Sequence, residues 1–440
     1  MASRPSTRTI ILGSFFAFLA WRLSLIIPPK FPEHPQITST AHDGAPVDAR
    51  TLCKRVHSPE TGLKFCEDGL IWKGYDLAIL SCDPGRGEWN TVMGPLKSPS
   101  PRGKLHVYNL NSTAGSGSTY PIEFINYPPT SDFHPLGIAI GPHPTPVASP
   151  EHRLLHVVNH RRDRGVIDLF TLTPPSHSSD QKVQATYWKT IQHPLINTPN
   201  GVVPITGNSF FMTNDHATNR RWPIPLRVLH VLETFLSVPG GSILFVKHSH
   251  AGDQNPDLIE AKTVARFIPF ANGMALVRAV GKSVLAVAST MTWSVQFYVI
   301  QWPARGDGWP TLEYHSKAPV GMSVDNLHVV GGETGEGVDP WQGLLGQSES
   351  ETILATGHPN PLKLVRFAAG PHNREVVHAP SRTFKLAFGL PKKTKEVFID
   401  DGRWLASGTS GLGREDGRMV MLGLYEEGIA DCEGVDVKVD

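Results

Sequence analysis

Three stretches of this chain set a polar residue and a glycine just before an apolar run, and that recurrence constrains its fold more than any other feature. They are Phe133-His134-Pro135-Leu136-Gly137-Ile138, Thr198-Pro199-Asn200-Gly201-Val202 and Phe270-Ala271-Asn272-Gly273-Met274, with glycines 64 and 72 residues apart. A period of that size marks one supersecondary unit used repeatedly. Val324-Asp325-Asn326-Leu327 and Gly357-His358-Pro359-Asn360 read as later variants of the same unit. Short β-branched or aromatic runs separated by turn residues recur from Asp76 to Leu424, among them Pro361 to Phe367 and Glu375 to His378. That is too many strands for a sandwich. The expected fold is an all-β propeller, in which radially repeated four-stranded blades bring the starts of their innermost strands together on an axis. The exception is Arg221 to Ser237, where Trp222, Leu226, Val228, Leu229, Leu232, Phe235 and Leu236 are spaced as on an amphipathic helix, either structural or membrane-contacting.

Composition agrees with an all-β chain and excludes some partners. Gly (41) and Pro (38) are abundant and charged residues make up 18%, which fits many strands joined by turns. Lys and Arg total 41 against 40 Asp and Glu, so net charge gives no reason to expect a nucleic-acid partner. At the N-terminus Arg4 and Arg8 precede the apolar stretch Ile10 to Ile27, so residues 1–29 read as a signal peptide or uncleaved signal anchor. Residues 30–50 read as a Pro-rich linker and 51–440 as the folded domain, placed in the secretory lumen or outside the cell, membrane-anchored or secreted. Four cysteines, Cys53, Cys66, Cys82 and Cys432, are then expected to pair. Of three connectivities, chain position favours Cys53 with Cys432, closing a ring, and Cys66 with Cys82, flanking a hairpin-sized segment. Asn111-Ser112-Thr113 is a glycosylation sequon in a turn. No nucleophile elbow or phosphate-cradling glycine loop is present in the sequence.

The chemistry-bearing residues are oxygen donors. Glu67, Asn200, Asn272, Asp325 and Asn326 offer carboxylate and amide oxygens, the hard ligands that calcium takes in sixes to eights with water. Glu67 and Asp68 are adjacent, and in an extended chain neighbouring side chains point to opposite sides, so the pair can serve two sites.

These residues carry a family resemblance. Glu67-Asp68, His134-Pro135-Leu136-Gly137-Ile138, Val157-Val158-Asn159-His160, Asn200, Thr213-Asn214-Asp215-His216, Phe270-Ala271-Asn272-Gly273, Val324-Asp325-Asn326, His358-Pro359-Asn360 and Cys432 together resemble the serum paraoxonase/arylesterase family of six-bladed, calcium-containing propellers, over roughly Cys53 to Cys432. The resemblance implies a catalytic calcium on Glu67, Asn200, Asn272, Asp325 and Asn326, and a structural calcium on Asp68 and the Ile138 carbonyl. It also implies a Cys53–Cys432 disulfide, a pocket-lining His358, and hydrolysis of lactones and aryl esters. The metal would polarise the carbonyl while a base, His160 or a site carboxylate such as Glu67, activates water. Two departures stand out. The family's first catalytic histidine aligns with Leu136, for which the neighbouring His134 is the candidate substitute, and an aspartate of the structural site is replaced by Gly201. They keep open an alternative, a calcium-binding lumenal propeller without hydrolysis. A further alternative is the different chemistry of strictosidine-synthase-like propellers.

Overall fold

The computed structural model describes residues 37–439, except 42, 112–118, 145–150, 176–181, 250–254, 256, 280, 304–307, 333–349, 371, 373–375 and 391–393, together with Gly13 and Ala17. The signal or anchor expected at residues 1–29 therefore falls outside the description apart from those two residues, and among the described residues no helix is long and apolar enough to cross a membrane. Six sheets follow one another along the chain as a six-bladed β-propeller. Their innermost strands are Cys66–Trp72, Pro135–Pro142, Pro199–Thr206, Ala271–Ala279, Ser323–Val329 and Gly408–Gly413, which define blades 1 to 6.

The middle strands are buried on both faces because each blade is sandwiched between two others, so they lack the alternation of a half-exposed strand. Leu77–Cys82, for instance, is buried at every position. The core lies between blades: Ala275, Val277 and Ala286 of blade 4 pack with Val324, Leu327 and Ile353 of blade 5. Burial of this apolar surface is the main stabilising term. The ring closes on blade 6, where Cys53–Val56 from the N-terminal side pairs antiparallel with Ile429–Cys432, and Cys53 sits opposite Cys432. Those two cysteines form one disulfide and Cys66 with Cys82 the other.

Several local expectations change. Residues 38–40 and 46–48, within the stretch expected as linker, form an antiparallel pair that extends the outer edge of blade 5. The run from Pro361 is a helix, Pro361–Ala368, and not a strand, because Asn360 caps it by accepting the Lys363 amide and Pro361 fits a first helical turn. Val376 to His378 are not strand either. The amphipathic helix exists as Ile224–Phe235, but its polarity is reversed: His230 and Glu233 are buried, while Ile224, Val228 and Leu229 are exposed. Glu233 is turned inward because its carboxylate accepts the Ala217 and Thr218 amides. Asn111 is exposed and its side-chain amide donates to Asp76 at 2.8 Å; Ser112 and Thr113 lie outside the described residues.

Candidate functional site

Every innermost strand carries one extra residue at the same level. Pairing skips from Cys66 to Asp68, Pro135 to Ile138, Pro199 to Val202, Ala271 to Met274, Val324 to Leu327 and Gly408 to Ser410. Each is a β-bulge, which breaks the in-out alternation of a strand and re-aims a side chain. The residues that open the bulges are Glu67, Leu136, Asn200, Asn272, Asp325 and Thr409, and the first five line a single cavity of about 220 Å³. The glycines next to them let the blades close up. A Cβ on Gly137 would lie 2.3 Å from the Asn200 carbonyl oxygen, and one on Gly273 would lie 2.4 Å from Asn326 Oδ1. The recurrent motif is thus a bulge residue facing the axis followed by a glycine, which at Gly137 and Gly273 leaves no room for a side chain and at Gly201 leaves a tighter than usual 3.1 Å.

The cavity floor holds acceptors without donors. Glu67 Oε2, Asn200 Oδ1 and Asn272 Oδ1 are buried and have no hydrogen-bond partner among the described residues. The amide nitrogens are used instead to hold the carboxylates: Asn272 Nδ2 donates to Asp325 Oδ1 at 2.7 Å and Asn326 Nδ2 to Glu67 Oε1 at 2.8 Å. Burial, with the Asp68 and Asp325 carboxylates close by, pushes Glu67 well above the usual carboxylate range. A divalent cation would meet all three bare oxygens and relieve that repulsion, so this donor set fits calcium. Among the described residues no three His, Cys, Asp or Glu side chains group as a metal site; the oxygen set is rich in amides instead.

The walls are apolar. Helix Ile224–Phe235 contributes Val231 and Phe235, helix Pro361–Ala368 contributes Leu364 and Val365, and Phe270 and Met291 complete them. His358 lines the cavity and its Nε2 lies 3.0 Å from Asp325 Oδ2, while Nδ1 is buried without a partner among the described residues. Thr234 also lines the cavity; its hydroxyl lies 2.8 Å from His216 Nε2, whose Nδ1 is 2.8 Å from Asp215.

The histidines proposed as bases from sequence sit elsewhere. His160 is not among the residues lining the cavity, and both ring nitrogens are engaged: Nε2 donates to the Pro199 carbonyl at 2.6 Å and Nδ1 accepts from the Thr91 hydroxyl at 2.5 Å. Burial holds its pKa down at about 4. It pins the backbone beside Asn200. His134 precedes its strand and also stays off the cavity wall, with Nδ1 2.9 Å from Asp83 and Nε2 without a partner among the described residues. Leu136 is on the floor, buried, where the resemblance expects an imidazole.

At the second expected ion, Asp68 is already occupied. Its Oδ2 accepts the Ile138 amide at 3.0 Å and its Oδ1 accepts the Ser410 hydroxyl at 3.1 Å, while His328 Nε2 lies 3.0 Å from Oδ1, within ion-pair distance but not aligned for a hydrogen bond. Sequence reasoning missed His328, Thr234 and Arg86. Arg86 lines the cavity and donates to the Pro135 carbonyl at 3.0 Å. The spacing of His328 two residues after Asn326, on the same face of a strand, was the available signal for it.

The model of the arylesterase family matches residues 95–337, more than half of the chain, which takes in all the strands of blades 2 to 4 and the innermost strand of blade 5. The chain belongs to the arylesterase family. Among curated proteins, this arylesterase-family chain is 25% identical over 350 residues to serum paraoxonase/lactonase 3 of Oryctolagus cuniculus, covering 79% of this chain and 77% of the relative. It is 24% identical over 307 residues to the Homo sapiens protein of the same name, covering 70% and 66%. Among solved structures, a gluconolactonase from Xanthomonas campestris superposes with a TM-score of 0.41 at 9% identity, covering 92% and 98% of the two chains.

Proposed function

We propose that this chain hydrolyses small carboxylic esters and lactones around one calcium ion on the propeller axis. What supports this most is the set of three buried, donorless oxygens, on Glu67, Asn200 and Asn272, all on residues that line one apolar-walled cavity. Held by Glu67, Asn200, Asn272, Asp325 and Asn326, calcium would supply Lewis-acid polarisation of the substrate carbonyl and stabilisation of its oxyanion. The chain's own residues do the rest. Phe235, Phe270, Met291 and Leu364 receive the acyl or aryl body and exclude bulk water. His358, with Nε2–H given to Asp325, is left with Nδ1 as its basic atom, the tautomer control that a carboxylate exerts on an imidazole. It takes the proton of the attacking water and returns it to the leaving alkoxide or phenoxide oxygen, which in a lactone opens the ring. Glu67 acts as a ligand in this scheme and not as the base. Family membership and the two disulfides support a secreted or membrane-anchored hydrolase of the secretory pathway.

The test is hydrolysis of phenyl acetate and a panel of lactones, with and without EDTA, for the wild type and His358→Gln. Chelator-sensitive turnover that falls at least ~100-fold in the variant is expected. Absence of chelator-sensitive turnover on every substrate would sink the proposal. Leu136 on the cavity floor favours the second reading, a binding propeller that keeps calcium for folding.

A further inference from the structure

Blades 1 and 5 are not neighbours in the ring, because blade 6 stands between them. A contact between their inner strands must therefore cut across the central channel. Among the described residues two residue pairs make such contacts, one above the other along the strands: Asn326 with Glu67 at 2.8 Å, and His328 with Asp68 at 3.0 Å. The upper belongs to the acceptor-rich floor of the cavity. The lower occupies the level where the family resemblance calls for a second, structural calcium, and both side chains there are no more than 8% exposed. The carboxylate that should complete that site is absent, since position 201 is glycine. A Cβ there would already lie 3.1 Å from the Asn272 carbonyl oxygen, Gly273 Cα and the Met274 nitrogen.

From these contacts we infer that the channel takes one cation and not two, with the His328 imidazole standing in for the lower ion. This rests on the axial site proposed above. Both oxygens of Asp68 accept hydrogen bonds from protein groups, Oδ2 from the Ile138 amide and Oδ1 from the Ser410 hydroxyl, so neither is left bare as the upper oxygens are, and the His328 imidazole stands 3.0 Å from Oδ1 at ion-pair distance without hydrogen-bond alignment. Charge points the same way. Glu67, Asp68 and Asp325 face the channel and the guanidiniums of Arg86 and Arg220 line the same cavity, which leaves one net negative charge, already answered by a single divalent cation. A second cation would add two positive charges with no carboxylate to answer them, at a cost that low-dielectric surroundings make large. His328 fills the same space, tying blade 5 to blade 1 through a side chain where the resemblance implies a metal.

Calcium content tests this without reference to catalysis. The purified full chain, stripped with EDTA and reloaded with calcium chloride, is expected to bind one calcium per chain, lost in Asn272→Ala and retained in Asp68→Asn. The double variant Gly201→Asp/His328→Ser is expected to bind two. Two channel calciums in the wild type, one lost with each single variant, would overturn the inference while leaving the axial site intact. One calcium lost with Asp68→Asn but kept in Asn272→Ala would overturn it as well. A folded double variant that still binds one would overturn the role given to His328. No bound calcium at all would overturn the axial site itself, and with it the count of one.

Discussion

Removing the cation should loosen the whole propeller, by an amount set by the oxygens it leaves bare. Without a cation, Glu67 Oε2, Asn200 Oδ1 and Asn272 Oδ1 are buried acceptors with no donor among the described residues. An unmet buried acceptor costs about 1–3 kcal/mol, so three together cost roughly 3–9 kcal/mol, with about 5 kcal/mol as a working value. Glu67, pushed up by burial and by Asp68 and Asp325, is expected to take a proton in the stripped protein and recover part of this. An unfolding entropy of about 2.1 cal/mol/K per residue over roughly 380 folded residues is about 0.8 kcal/mol/K, so the melting temperature should fall by roughly 6 °C. The assay is thermal unfolding by tryptophan fluorescence in millimolar calcium and in EDTA, on wild type and on Asn272→Ala. The variant removes one bare oxygen and one ligand, so its EDTA-dependent shift should be smaller than that of the wild type. Wild-type melts that coincide within about 1 °C in the two buffers would refute the account, because the stripped floor would then carry no measurable penalty.

Three more outcomes follow from the site and its surroundings. Leu136→His puts an imidazole on the cavity floor, and kcat on phenyl acetate should rise by about tenfold or more if proton transfer limits turnover; an unchanged kcat removes that limit. His160→Gln should cost about 1–3 kcal/mol in urea unfolding through lost contacts to Thr91 and Pro199, yet leave the shape of the kcat pH profile unchanged. A vanished ionisation in that profile would restore His160 as the base. Acid should weaken the fold: burial lowers His106 to about 4, His156 to about 3 and His160 to about 4, while burial raises Asp400 to about 7. Between pH 6.5 and about 4 the unfolded chain binds protons on three histidines that the native state refuses, and the native state holds one on Asp400 that the unfolded chain lacks. For these four groups the balance rises from under one proton at pH 6.5, where the unfolded histidines are half protonated, to nearly two at pH 5.5, a loss of about 1.8 kcal/mol between those two pH values, readable by urea unfolding. A flat or inverted slope would contradict it.

What the amino-acid sequence determined by itself was the material: strand-length apolar runs at regular intervals, glycines just after polar residues, amide and carboxylate oxygens in the right numbers, and four cysteines. Side-chain type and local spacing act over a few residues, so they can be read along the chain. The tertiary structure decided which of those groups meet. Strict alternation misjudges the inner strands because a bulge in each adds one residue, and it is the bulge that turns Asn200 and Asn272 to the cavity. Pro361–Ala368 became a helix through its Asn360 cap, and helix Ile224–Phe235 turned its polar side inward because Glu233 found the amides of Ala217 and Thr218. His160 lost its place as a free base to Thr91 and Pro199. The meeting of His328 with Asp68, 260 positions apart, exists only because a closed ring brings blade 1 and blade 5 to one channel, and no local pattern encodes a contact of that range.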